Sequence, residues 1–423
     1  MSIKLAKKPI LLYYAVICCL AILVMVLGGL VIAGNNRSNG QFVVTPGGQS
    51  AGPTGGQNAG QGLGNNVELA KILDCTSTEG QPLNVCYDKF IGDYVGDKTV
   101  KNLLSDLEMS RSTSSSMENS CHPVAHAIGR YSLTKHGNVG DAFEACDYTC
   151  HSGCYHGVME RLFFTEEQIT AGLQHLGYDQ LAQKVPGICL PANFKNPSKQ
   201  ILFQCLHGIG HAILYTIDYK LEQGLALCDL LPGSFERESC YGGLIMENVT
   251  AYEKSKRDIQ KDNPHYPCNK LDAKYQYSCY AMQTSVMFDI GLSADEIAKE
   301  CLNAGSQVET CFISLGRDLS NNIRTGGSAY VQKVCTNSGQ YAENCIRGAI
   351  YAVIDNTWDG KYALPFCEGL TEPLKTDCLQ RALNYLQYSH EKTQQELEDS
   401  CKQFALSSTD LCLGLIKTTK ATW

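Results

Sequence analysis

The sequence has no surplus of positive charge. Lys and Arg number 35 against 43 Asp and Glu in 423 residues, a net charge of −8. Without an excess cation field to hold a phosphate backbone, nucleic acid is excluded as the general partner. The same deficit argues against a polybasic membrane-surface role for the body of the protein. Several signature motifs are also missing. There is no His-Glu-x-x-His zincin helix, no Walker A loop and no Gly-x-Gly-x-x-Gly dinucleotide fingerprint.

What the chain has in quantity is cysteine, 22 in all. So many thiols are a hazard in an exported protein unless they are paired, and an oxidising compartment follows. The N-terminus agrees. Lys4, Lys7 and Lys8 precede an uncharged apolar run from Pro9 to Ala33, long enough to cross about 30 Å of hydrocarbon. Residues 1–8 are then a cytoplasmic flank, 9–33 a transmembrane signal-anchor, and the chain beyond lies outside the cell or in the periplasm. The rival reading is a cleaved signal peptide ending near Val31-Ile32-Ala33. Residues 34–66, rich in Gly, Asn, Gln and Ser, form a flexible tether that holds the body on the order of 30 Å from the membrane. Asn36-Arg37-Ser38 and Asn248-Val249-Thr250 match the N-glycosylation acceptor pattern, a short and weak signal. Cys18 and Cys19 fall inside the apolar run, leaving 20 cysteines for the body at 67–423.

Those cysteines are periodic. Cys86, Cys121, Cys154, Cys205, Cys240, Cys279, Cys311, Cys345, Cys378 and Cys412 recur about every 34 residues, with one step of 51. Similar helical text follows them, as in Cys205-Leu-His-Gly-Ile-Gly-His and Cys240-Tyr-Gly-Gly-Leu-Ile-Met-Glu. A second series, Cys75, Cys189, Cys228, Cys268, Cys301, Cys335, Cys367 and Cys401, runs 10 to 16 residues ahead of its partners in the first. Turn residues separate each pair, and capping boxes such as Ser293-Ala-Asp-Glu296 and Thr165-Glu-Glu-Gln168 open the first helix. Each unit therefore reads as helix A, turn, helix B, with one disulfide stapling A to B. Each staple contributes about 2–3 kcal/mol in the chain-entropy model. The eight pairs leave Cys121, Cys146, Cys150 and Cys154 in a connectivity that spacing does not fix. The long step holds an insertion, with a helix expected over about 165–183.

Period and hairpin together resemble the tetratricopeptide (TPR) and Sel1-like class of α-hairpin repeats over about 350 residues. The resemblance is architectural: the Trp, Leu-Gly and Tyr offsets of the TPR pattern are not followed. It implies an all-α, right-handed solenoid of about ten units with a groove suited to a protein, peptide or glycan partner, and no particular chemistry.

The histidines carry the chemical signal. Eight of the ten lie between 122 and 211, and four form two HxxxH pairs, His122 with His126 and His207 with His211. His156 and Glu160 repeat the spacing. Chance places about 0.24 such pairs in a chain of this composition. Separation by four puts both side chains on one helix face at chelating distance. His207 and His211 fall roughly 150° from the apolar stripe of Leu206, Ile209 and Ile213, so they face the groove or a neighbouring unit. Three successive B helices are thus expected to offer His122, His126, His156, Glu160, His207 and His211 to a shared, dinuclear transition-metal site of zinc, copper or iron. His151 is a spare ligand, and Glu247 a further ligand or the hydrogen-bond partner of one. The competing reading is imidazoles that only hydrogen-bond between repeats. Cys146-Asp-Tyr-Thr-Cys150-His151 is one residue longer than a c-type haem attachment motif, which makes haem a poor fit. His136, His175, His265 and His390 have no partner at chelating spacing and read as surface or packing residues. Tyr87, Tyr155, Tyr241 and Tyr280, each after a helix B cysteine, read as packing against the staple.

The metal-site units span about 121–250, and those of 251–423 keep the staples but lose the ligands, as scaffold would. A metal-dependent oxidoreductase is favoured over a hydrolase, because no carboxylate stands out as a general base. The alternative is a non-catalytic surface module with structural or scavenged metal.

Overall fold

The structure, a computed structural model, describes residues 69–77, 83–163, 177–251, 254–405 and 407–419. The apolar run, the tether, the Asn36 acceptor site, the Thr165 capping box, most of the expected 165–183 helix and His175 lie outside them. No helix of the described residues is long and apolar enough to cross a membrane.

All regular structure among the described residues is helical. After a 3₁₀ turn at Lys71–Ser77 come α1 (Leu83–Tyr94), α2 (Val100–Thr113), α3 (Ser115–His136), α4 (Val139–Ala145), α5 (Thr149–Phe163) and α6 (Tyr178–Ile188). Next are α7 (Lys199–Thr216), α8 (Leu221–Cys228), α9 (Ser234–Thr250), α10 (Ala273–Asp289), α11 (Ala294–Cys301) and α12 (Val308–Arg324). The series ends with α13 (Ser328–Asn337), α14 (Ala342–Thr357), α15 (Ala363–Glu368), α16 (Leu374–Tyr388), α17 (Gln394–Phe404) and α18 (Thr409–Ile416).

Every cysteine of the first series falls on a long or C-terminal helix of its unit, and these B helices pack on one another in chain order: α1, α3, α5, α7, α9, α10, α12, α14, α16, α18. The buried stripes account for this. Leu206, Ile209 and Ile213 of α7 and Val158 of α5 are at most 2% exposed, and each such side chain contributes about 1.5–3 kcal/mol when removed from water. The A helices start where the capping boxes place them. Ser293 Oγ accepts from Glu296 N while the Glu296 carboxylate accepts from Ser293 N at 2.8 Å. Thr393 and Glu396 repeat the arrangement before α17.

All eight expected staples are present: Cys75–Cys86, Cys189–Cys205, Cys228–Cys240, Cys268–Cys279, Cys301–Cys311, Cys335–Cys345, Cys367–Cys378 and Cys401–Cys412. The other four cysteines pair as Cys121–Cys150 and Cys146–Cys154. Cys146–Cys154 is the A-to-B staple of its unit, whereas Cys121–Cys150 ties one B helix to the turn that opens the next. In the first unit the helical residues Leu69 and Ala70 run into the 3₁₀ turn that carries Cys75. Among the described residues one unit departs from the helix–turn–helix expectation. The sixth has turns around Cys268, where Pro264 and Pro267 deprive the backbone of two donors. Tyr87, Tyr155, Tyr241 and Tyr280 are buried as expected. The Asn248 acceptor site is closed: its side chain is 1% exposed and bonded to both backbone groups of Asp258.

The three tightest crossings, α3 with α5, α7 with α9, and α12 with α14, are made by reciprocal glycines. A Cβ on Gly129 would lie 1.9 Å from Cys154 O and one on Gly157 1.9 Å from His126 O. Gly210 and Gly243 meet Cys240 O and His207 O in the same way, as Gly316 and Gly348 meet Cys345 O and Ile313 O. Only residues without a side chain let the backbones approach this closely.

Candidate metal centre

The glycine crossings decide which side chains meet. Gly157 faces the carbonyl of His126, Gly243 that of His207, and Gly348 that of Ile313. His126 and His207 thus occupy equivalent places, and Arg130 and His211, four residues later, do so as well. Counted from Cys121 and Cys205, His122 and His126 stand one and five residues on and His207 and His211 two and six, nearly the same register. The backbone puts His122 and His126 one helical turn earlier, because Cys121 pairs with Cys150 and is not the staple of its unit.

The histidines converge all the same. His122, His126 and His156 offer ring nitrogens that lie within 4.8 Å of one another, and so do His156, His207 and His211. His156, on the middle helix α5, belongs to both groups. Its ring centroid is 5.3 Å from His122, 5.4 Å from His126, 5.5 Å from His207 and 4.7 Å from His211. Each triad has the composition and spacing of a group that can hold a metal ion.

Hydrogen bonds fix which nitrogen faces inward. His122 Nδ1 lies 2.7 Å from the carbonyl oxygen of Cys150, and His126 Nδ1 2.6 Å from Glu160 Oε1. Neither acceptor can donate, so both Nδ1 atoms carry the proton and both Nε2 atoms present lone pairs, a tautomer assigned from the partners. Those two Nε2 atoms are 3.0 Å apart. On the other side His211 Nδ1 is 2.9 Å from Glu247 Oε2, and His211 Nε2 is 3.2 Å from His207 Nε2. At the His122–His126 contact the opposed lone pairs repel unless a cation lies between them, whereas His207 Nδ1 is buried with no hydrogen-bond partner to set its tautomer. Two imidazoles bound to one ion at 2.0–2.1 Å and a tetrahedral angle have nitrogens about 3.3 Å apart, close to both separations.

Electrostatics favour neutral imidazoles. Burial holds His122, His156 and His207 well below the ordinary histidine value, with neighbouring histidines adding to the effect. His156 is 3% exposed, and its Nδ1 is buried with no hydrogen-bond partner. Burial opposes ionisation of Glu160, yet electrostatic interactions with His126 and Arg130 and hydrogen bonds from both hold its carboxyl far below the usual range. Arg130 also binds Asp88. Glu247 is held by Tyr219, whose hydroxyl donates to Oε1 at 2.6 Å and is kept protonated by burial and by the Glu247 charge.

Of the residues expected at the site, the structure brings five histidines together in the two triads. Glu160 and Glu247 stand outside them, each on the helix after its histidine and each orienting an imidazole. His151 is also outside the triads, its ring 6.3 Å from that of His122. Cys146 and Cys150 are both in disulfides, which removes the thiols a haem would need. His265 and His390 bond Glu300 and Asp355 far along the chain, and His136 is exposed.

The backbone before His156 is unusual. Cys150, His151 and Ser152 have φ of 53°, 57° and 62°. Left-handed conformation costs about 1–2 kcal/mol per non-glycine residue, and the disulfides at Cys150 and at Cys146–Cys154 bracket the segment. The turn aims the Cys150 carbonyl at His122. Arg130, Tyr219 and this carbonyl were not foreseen. Arg130 could have been, since it continues the His122, His126 face by one more turn. Tyr219 gives no local signal.

No protein-family model matches the chain, and neither a curated protein nor a solved structure matches it.

Proposed function

We propose that this is an exported, membrane-tethered metalloprotein in which His122, His126, His156, His207 and His211 hold two transition-metal ions on a disulfide-stapled helical repeat. The observation that carries it is the pair of Nε2–Nε2 contacts at 3.0 and 3.2 Å, with the Nδ1 atoms of His122, His126 and His211 turned to carbonyl or carboxylate oxygens. Imidazole ligation selects zinc, copper or iron over calcium and magnesium. Three protein ligands per ion, with His156 serving both as an imidazolate whose N–H proton would be released on binding, leave positions for an outside ligand.

Redox chemistry is favoured over hydrolysis. Both carboxylates at the centre are engaged, Glu160 by His126 and Arg130 and Glu247 by His211 and Tyr219, so neither is available as a general base toward a water. The second reading is a binding module with metal as a staple and a protein, peptide or glycan in the repeat groove. One feature favours it. At the third glycine crossing Arg317 takes the place of His211, buried and bonded to Ala281 O, Ser285 Oγ and Asp318, so a fixed cation at this position can be purely structural.

Elemental analysis of full-length protein from the exported compartment tests the proposal. About two ions per chain are expected, with both lost in His156→Ala. Metal-free protein that gains none on incubation with Zn, Cu or Fe would overturn it.

A further inference from the structure

We infer that the two metal positions are unequal: the His122–His126–His156 position takes a small anion from solvent, and the His156–His207–His211 position is closed and keeps its ion. This rests on the metal reading above and divides its labour.

Burial is the first ground. His156, His207 and His211 are 3%, 2% and 5% exposed, so every ligand of the second triad is cut off from water. His122 and His126 are only half-buried, and the His126 side chain keeps 16% of its surface against 6% for His211. Phe203 adds to the asymmetry, its ring stacked on His207 at 5.4 Å and 26°. An ion in the first triad would exchange its remaining ligands with solvent more readily than one enclosed by the buried rings of the second.

Charge is the second ground. Each position would have two neutral imidazoles of its own and a share of His156, which could serve both ions only as an imidazolate whose N–H proton is released on binding, so the histidines themselves supply the two positions with equal charge. Glu160 beside the first triad is bound directly to the Arg130 guanidinium, a cation it shares with Asp88, so its negative charge is partly compensated. Glu247 beside the second triad is bound to the uncharged Tyr219 hydroxyl, so its charge strengthens His211 as a donor without an arginine beside it. The outer ion is therefore the more electrophilic and the inner one the more firmly held. A small anion of two or three atoms is the ligand class that suits an open coordination position reached between half-buried rings.

The test uses the full chain loaded with cobalt(II) and titrated with azide, read by visible absorption and metal content. One of two cobalt ions should respond to azide. His122→Ala should lose the responding ion and keep the silent one, and Phe203→Ala should make the silent ion respond. In the unaltered protein, timed removal by a chelator should strip the azide-responsive ion first, which keeps the test independent of any variant's folding. Two ions that respond alike, a single ion per chain, or loss of the silent ion first would overturn the division while leaving metal binding intact. No bound cobalt at all would overturn both.

Discussion

At the scale of single residues, the centre is organised by groups that never meet an ion. Glu160, Glu247 and the Cys150 carbonyl each take the Nδ1 proton of one histidine and so turn its Nε2 inward. Substituting such a partner typically costs 10–100-fold in metal affinity. Glu247→Gln is accordingly expected to weaken binding by roughly that factor. Competition with a chromophoric chelator measures it, with circular dichroism to show that the helices persist. Tyr219→Phe removes one hydrogen bond to the same carboxylate and is expected to have the smaller effect. A result in which Glu247→Gln leaves affinity unchanged would assign His211 its orientation from packing alone.

Among the elements, the crossings matter more than the helices. A methyl at Gly157 would meet the His126 carbonyl at 1.9 Å, and one at Gly348 the Ile313 carbonyl at the same distance. Overpacking of this kind costs about 1–3 kcal/mol, sometimes more. Gly348→Ala is expected to lower the melting temperature with metal content unchanged. Gly157→Ala should lower both, because it drives α3 off α5 and separates His122 and His126 from His156. Thermal unfolding with metal analysis of the same samples distinguishes them. The crossings also mark the limit of what the sequence disclosed. The eight staples were legible because a cysteine leaves one kind of mark at one spacing, and the five histidines because a separation of four has one meaning on a helix. The register of α3 was not, since Cys121 carries the right spacing and the wrong partner. Nor was the placement of Glu160 outside the triads: sequence gave its helix face, while its pairing with Arg130 depends on α3 and α5 approaching at glycines. The turns around Cys268 were readable in principle from Pro264 and Pro267, but the cysteine period outweighed them.

For the molecule as a whole, the disulfides fall into two classes. Nine close loops of 8 to 16 residues within a unit, and one, Cys121–Cys150, spans 29 residues and joins two B helices. Removing a native disulfide costs about 2–5 kcal/mol in small secreted domains. Replacing Cys401 and Cys412 by Ser is expected to reduce stability alone. Replacing Cys121 and Cys150 should also lower metal affinity, because it frees the three left-handed residues whose carbonyl holds His122. Calorimetry beside metal titration separates the two outcomes.

The half of the chain without ligands is not remote from the centre. Trp358, the left-handed residue that ends α14, stacks on Tyr148 at 4.5 Å and 21°, and α14 packs on α5. Tyr148 stands two residues before Cys150. The α14 unit thus leans like a buttress on the threshold of the site, and the protein cannot be pared down to its histidine-bearing helices without taking away what they rest against.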